Sequence, residues 1–234
     1  MPRENYQQRL EDLRAEVVSM GDLVLERYDA AVEAAETGDD DLAREVIEGD
    51  YEVNDRYLEL EEECTELLAL QQPVASDLRL VTASFKVITD LERVADLATN
   101  LAGYGGDEGG LHPAVDFREI GDEAGEMVAD AVAAYEAGDP DACRAVAARD
   151  DDLDERCRQA SEAVVRDLLE ADRARVEANR SGESDPDSEE LAGALDEVSR
   201  ALLAVRDLER VGDHAVNIAA RALYMIENDD ELIY

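Results

Sequence analysis

The segment Asp90-Leu91-Glu92-Arg93-Val94-Ala95-Asp96-Leu97-Ala98-Thr99-Asn100-Leu101-Ala102 returns 117 residues later as Asp207-Leu208-Glu209-Arg210-Val211-Gly212-Asp213-His214-Ala215-Val216-Asn217-Ile218-Ala219, with nine of thirteen positions identical. Upstream, residues 31–56 match 131–156 at an offset of 100, with eleven of twenty-six identical, including Gly38 with Gly138, Asp39 with Asp139, Arg44 with Arg144 and Asp50 with Asp150. A chain built twice from one unit must satisfy one folding pattern twice, which removes most architectures at once. The offset grows between the two matches because the second half carries a longer polar stretch near Ser181.

That pattern is helical. Apolar residues recur at three- and four-residue spacing nearly end to end, with no convincing alternating strand. A first helix is expected from about Arg3 to Ala35, with Leu10, Leu13, Val17, Met20, Val24 and Tyr28 on one stripe. Thr37-Gly38-Asp39 ends it and caps a second helix from about Asp40 to Gln71. Pro73 breaks the chain, Ser76 is an expected N-cap, and a third helix runs from about Asp77 to Leu101. The glycine-rich stretch 103–110 is the joint between halves. The second half repeats the programme with helices from about Ala114 to Ala137, from Pro140 to about Ala178, and from about Ser188 to Ile226, with a loop around Ser181–Asp187. The expected fold is all-α, two tandem three-helix bundles related by internal duplication, occupying residues 1–104 and 112–234.

The most faithfully repeated segment carries Glu92, Asp96 and Asn100, and again Glu209, Asp213 and Asn217. Steps of four residues turn a helix by only about 40°, so each trio shares one face. In so acidic a chain, chance alone supplies about sixteen acid pairs at this spacing, so one pair means nothing. Pairing between helices means more. Folded into a hairpin about Pro73, Asn54 lies 19 residues before the turn and Glu92 lies 19 after it, while Asp50 and Asp96 lie 23 on either side. In the second half Asp150 falls level with Asp213 and Asp154 with Glu209, both pairs centred between Ser181 and Gly182. Four clustered oxygen side chains repel one another without a counter-ion. An all-oxygen set suits magnesium, manganese, calcium or iron. The alternative is that Arg93 and Arg210, or nearby arginines, neutralise these faces without metal. His214 points about 100° off the face and reads as a solvated polar residue. His112 has no assigned role, and Cys64, Cys143 and Cys157, at no metal-ligand spacing, read as reduced core thiols.

Net charge decides what the chain avoids. It is -39, from 61 acidic residues against 22 basic ones, with Lys86 the single lysine. Nucleic-acid binding needs clustered Lys and Arg, so it is excluded as a function class. With 45% hydrophobic residues the chain is not a disordered acidic tail. The excess charge is tolerable where salt screens it, which suggests a halophilic source. The absence of an apolar leader or a run near 18 apolar residues points to a cytoplasmic protein with no membrane insertion.

The stretch Leu67-Leu68-Ala69-Leu70-Gln71-Gln72-Pro73-Val74-Ala75-Ser76-Asp77-Leu78-Arg79 and the two acidic motifs Asp90–Asp96 and Asp207–Asp213 together resemble the PhoU family of phosphate-transport accessory regulators. The resemblance covers essentially the whole chain. It implies multinuclear metal clusters on the bundle surfaces at the motifs carrying Glu92 and Asp96 and Glu209 and Asp213, to which the hairpin count adds Asp50 and Asn54 in the first half and Asp150 and Asp154 in the second. The ion expected is divalent or trivalent, drawn from magnesium, manganese, iron and zinc. It also implies a cytoplasmic homodimer that represses phosphate uptake and starvation signalling through the transporter ATPase subunit and, in bacteria, a sensor kinase. Ala95 departs from the glycine usual in the first motif, and the second half lacks the glutamine–proline turn.

Two other functions compete. One is a metal-free acidic helical scaffold. The other is a di-iron carboxylate enzyme, which wants Glu-x-x-His on facing helices, and no histidine here lies three after a glutamate.

Overall fold

The computed structural model describes residues 3–70, 75–105, 111–180 and 188–233, with side chains omitted at 3, 70, 174–180 and 188–191. Among the described residues seven helices follow in order: α1 (Arg3–Thr37), α2 (Asp40–Leu70), α3 (Ala75–Tyr104), α4 (Phe117–Ala137), α5 (Pro140–Ala147), α6 (Asp150–Arg180) and α7 (Ser188–Glu227). Among the described residues there is no strand.

The first joint of each half is built alike. Gly38 and Gly138 adopt left-handed backbone, φ 68° and 66°, where a side chain would be strained. Asp39 then caps the next helix, accepting from the Asp41 and Leu42 amides at 3.0 Å, and Asp139 does the same for Asp141 and Ala142 at 3.0 and 3.1 Å. Pro140 occupies the first turn of α5, where its missing N–H costs nothing.

Three expectations need correction. The second helix of the second half is not continuous. It ends at Ala147 and restarts at Asp150, because Arg149 N bonds to Val146 O three residues back rather than four, tightening the turn. The Arg149 guanidinium is held by Asp130 and Glu126 of α4, which fixes the break. Ser76 lies inside α3 rather than capping it, since the helix starts at Ala75. The helix expected from Ala114 begins at Phe117 instead, after Asp116 caps it by accepting from Glu119 N. The turn around Pro73 and the loop Ser181–Asp187 lie outside the described residues.

The apolar stripes of both halves meet in one continuous core. Tyr6, Leu10, Leu13, Val17, Met20, Val24 and Tyr28 of α1 are all buried, against Leu60, Cys64 and Leu67 of α2 and Val81, Ile88 and Leu91 of α3. The three cysteines are free and buried, as expected of core thiols. The halves then join through α1 on α4 and α3 on α7. A Cβ on Gly21 would stand 3.0 Å from Val132 Cγ1, and one on Gly121 would stand 2.9 Å from Val32 Cγ1. Those four positions are repeat equivalents, so the contact is reciprocal in the manner of a two-fold interface.

The halves differ in length at one end. Helix α1 has 35 residues and α4 only 21. The first four turns of α1 clamp the far end of α2, with Arg9 bridging Glu63 and Glu66 at 3.2 and 3.1 Å. In the second half Val164, Val198 and Ala201 make a small cluster of their own, topped by Val115.

Candidate functional site: two acidic faces

The first face lies where α2 and α3 run side by side. Asp50 and Asn54 come from α2, and Glu92 and Asp96 from α3. The hairpin brings them into mutual range: Asn54 Nδ2 donates to Asp50 Oδ2 at 2.7 Å, and Asp50 and Glu92 each feel the Asp96 charge. Burial raises the Asp50 carboxyl above its usual value; the Asn54 hydrogen bond opposes this and the Asp96 charge adds to it. Glu92 is raised by burial first, then by Asp96 and Asp50. Arg93 answers part of the charge, reaching Asp96 at 3.1 Å and Glu92 at 3.6 Å.

The second face repeats the geometry with one more acid. Asp150 and Asp154 come from α6, and Glu209 and Asp213 from α7. Burial pushes Asp150 up to about 6, with Asp154, Asp213, Asp151 and Glu209 adding to it in that order. Burial also raises Asp154 and Glu209, each then pushed further by neighbouring carboxylates. Asp150 Oδ1 is buried and has no hydrogen-bond partner. Gly212 makes this closeness possible: a Cβ there would fall on Leu153 Cδ2, 3.9 Å from Asp150 Oδ1. Arg210 gives this face no cation, because it turns to Asp207 at 3.6 Å.

A buried, unpartnered carboxylate oxygen near three other acids, with no arginine among the described residues turned toward them, suits a hard cation. As they stand, no three His, Cys, Asp or Glu side chains among the described residues converge closely enough to hold a metal ion.

Two residues of the repeated motif went unassigned in the sequence. Asp207 is 0% exposed, accepting from Tyr104 Oη at 2.9 Å and from Arg206 Nη2 at 2.9 Å. Its counterpart Asp90 meets His214 Nδ1 at 2.9 Å. The Tyr104–Asp207 and His214–Asp90 bonds cross between halves, α3 to α7 in both cases. His214 is therefore partly buried and engaged, not solvated. The signal was present: Asp90 and Asp207 are retained identically, and two residues before the acidic face is about 200° around the helix, toward the opposite half. His112 likewise has a local task, accepting from Ala114 N at 3.3 Å through Nδ1.

The PhoU domain family matches residues 17–104 and 117–222, one match in each half. The phosphate-specific transport system accessory protein PhoU homolog of Pseudomonas putida is 34% identical over 231 residues, covering 97% of this chain and 82% of that protein. The phosphate-specific transport system accessory protein PhoU of Escherichia coli (strain K12) is 30% identical over 230 residues, covering 96% of this chain and 86% of that protein. Among solved structures, the crystal structure of PhoU from Pseudomonas aeruginosa superposes with a TM-score of 0.83 at 32% identity, covering 96% of this chain and 100% of that one.

Proposed function

The chain belongs to the PhoU family, and from that premise we propose that it is a non-enzymatic, metal-binding negative regulator of phosphate uptake. It acts by docking on the transport machinery, the transporter ATPase subunit first and a sensor kinase second. The observation that carries the metal part is the orphaned, buried Asp150 Oδ1 amid Asp154, Glu209 and Asp213. The observation that carries the regulatory part is the near-complete coverage by relatives named as phosphate-transport accessory proteins.

Asp150, Asp154, Glu209 and Asp213 would hold a metal in the second half, and Asp50, Asn54, Glu92 and Asp96 in the first. Such an ion supplies charge neutralisation, pinning α6 to α7 and α2 to α3 where carboxylates otherwise push them apart. The chain's own residues do the rest. Gly212 sets the distance between the α6 and α7 backbones, and Arg206 and Arg210 stay with Asp207, leaving the second face fully anionic. Docking leaves the surface, not a pocket, as the working part. The di-iron reading has little support, since His112 and His214 are both already bonded elsewhere. Among the described residues no helix is long and apolar enough to cross a membrane, which fits a protein that meets a transporter from outside the bilayer.

Deletion of the gene in phosphate-rich medium is expected to raise phosphate uptake or alkaline phosphatase expression. Unchanged uptake and expression, with the transporter present, would remove the regulatory reading and leave the fold.

A further inference from the structure

Ile47, Tyr51 and Leu58 of α2 are 48%, 61% and 57% exposed. Their spacing of four and seven residues aligns them in one stripe along the outside of the helix, next to Asp50 and Asn54. Isolated apolar side chains on a surface mean little, but three large ones in register form a contact strip. The duplication supplies an internal control. At the equivalent positions the second half has Ala147, Asp151 and Arg158, on α5 and α6, which lie against α7 as α2 lies against α3. The fold therefore does not need apolar residues there.

The strip is edged by acid on both sides. Glu48, Asp55 and Glu62, seven residues apart and all exposed, run along one edge; Asp50 and Glu61 stand along the other. A second copy of this chain meeting the strip through the same face would set those acidic rows against each other, and an anionic lipid surface would meet the same repulsion. An apolar stripe between acidic rows complements a helix with an apolar stripe between basic rows.

We infer that the Ile47–Tyr51–Leu58 strip is a docking surface for a lysine- or arginine-flanked amphipathic helix of a partner protein. The inference rests on the docking part of the proposed function, gives it a place and a chemistry, and does not depend on metal. It makes the two halves unequal in task, since the second lacks apolar side chains at these three positions and carries its exposed Val165 and Leu169 further along α6, where the first half has Thr65 and Ala69.

The test uses the full chain, in salt that keeps it helical by circular dichroism, and a fluorescent helical peptide with leucine on one face and lysine on the other. The same peptide with glutamate for lysine, and one with serine for leucine, are the controls. The leucine–lysine helix is expected to bind at least tenfold more tightly than either control. The charge-neutral variant Ile47→Ser/Tyr51→Ser/Leu58→Ser should lose at least tenfold in that affinity with unchanged helicity and thermal midpoint, the side chains being exposed. Tyr51→Ser alone should lose a smaller part and serves if the triple variant fails to fold. Equal binding by wild type and variant shows only general acidity and overturns the inference. So does a wild-type dimer, by light scattering, that dissociates in the variant, or sedimentation with anionic vesicles that the variant abolishes. A chain whose deletion derepresses uptake but whose strip binds no basic helix keeps the regulatory reading and loses this one.

Discussion

Across the first acidic face Arg93 spans Glu92 and Asp96, while its repeat equivalent Arg210 turns away to the buried Asp207 and leaves Glu209 and Asp213 facing Asp150 and Asp154. The first face also has an amide where the second has an acid, and Asn54 uses it to bond Asp50. One copy of the motif is thus partly satisfied by protein groups and the other is not. The same thirteen-residue signature supports two different electrostatic states, and the residue that selects between them, Asp207 or Asp90, sits on the far side of the helix. Asp207 attracts two arginines; Asp90 engages a histidine and frees Arg93 for the surface.

The sharpest way to break that comparison is metal content. Glu209→Gln with Asp213→Asn is expected to cost at least about tenfold in apparent metal affinity, on the scale of losing site-shaping contacts. The same pair of changes at Glu92 and Asp96 should cost less, because Arg93 already competes there. Elemental analysis after dialysis against a fixed free metal concentration measures both. If the first-half changes abolish bound metal and the second-half changes leave it untouched, the ranking of the faces is reversed and Arg93 is not a competitor.

A second expectation concerns the helix spacing behind each face. Gly212→Ala places a methyl on Leu153 and should destabilise the chain by about 1–3 kcal/mol through overpacking. The mirror change Ala95→Gly, at a helical position that already tolerates a methyl, should cost no more than about 1 kcal/mol. Denaturant titrations of the two variants in the same salt compare them directly. Equal effects would mean that the two helix pairs approach equally, and Gly212 would lose its role in shaping the second face.

The smallest effect is in pH. In the metal-free chain Asp150 keeps its proton to about pH 6, against 3.8 as its ordinary value. Between those values the folded state holds more proton than the unfolded one. Its contribution to stability is therefore complete below the ordinary value and is lost as pH rises through about 6. Thermal midpoints of chelated wild type and Asp150→Asn should converge below the ordinary value, separate as pH rises toward about 6, and stay apart above it, with the variant the more stable there. Asp50→Asn should give a weaker separation, since Asn54 and Arg27 partly offset the burial of Asp50. Parallel curves for wild type and Asp150→Asn would remove the strain assigned to the second face.

Much of this was legible in the sequence because it follows from period and count. The helix order, the glycine–aspartate joints at 38–39 and 138–139, and the level pairing of Asp50 with Asp96 and of Asp150 with Asp213 depend only on 3.6 residues per turn and on hairpin arithmetic. What stayed hidden depends on neighbours from the other half. Nothing local in Arg93 or Arg210 tells which carboxylate each will choose, since the choice is made by Tyr104 and His214 reaching across. The break at Ala148–Arg149 was equally unreadable, because Glu126 and Asp130 of another helix hold it. The exposed Ile47, Tyr51 and Leu58 were visible as letters but could be recognised as a strip only once burial was known.

The reciprocal packing of Gly21 on Val132 and Gly121 on Val32 is what two identical chains would make about a two-fold axis. Here one polypeptide makes it, and the segment between Tyr104 and Phe117 holds the two partners at an effective concentration in the millimolar range. Association no longer varies with how much protein is present. A pair of separate identical chains must also carry every substitution on both sides of its axis at once. A tethered pair does not, and so Asn54 can face a site that Asp154 does not copy, and Tyr51 can sit opposite the symmetry axis from Asp151. The linker converts an enforced symmetry into an optional one, and the two halves have used that freedom at the acidic faces and along the outer side of α2.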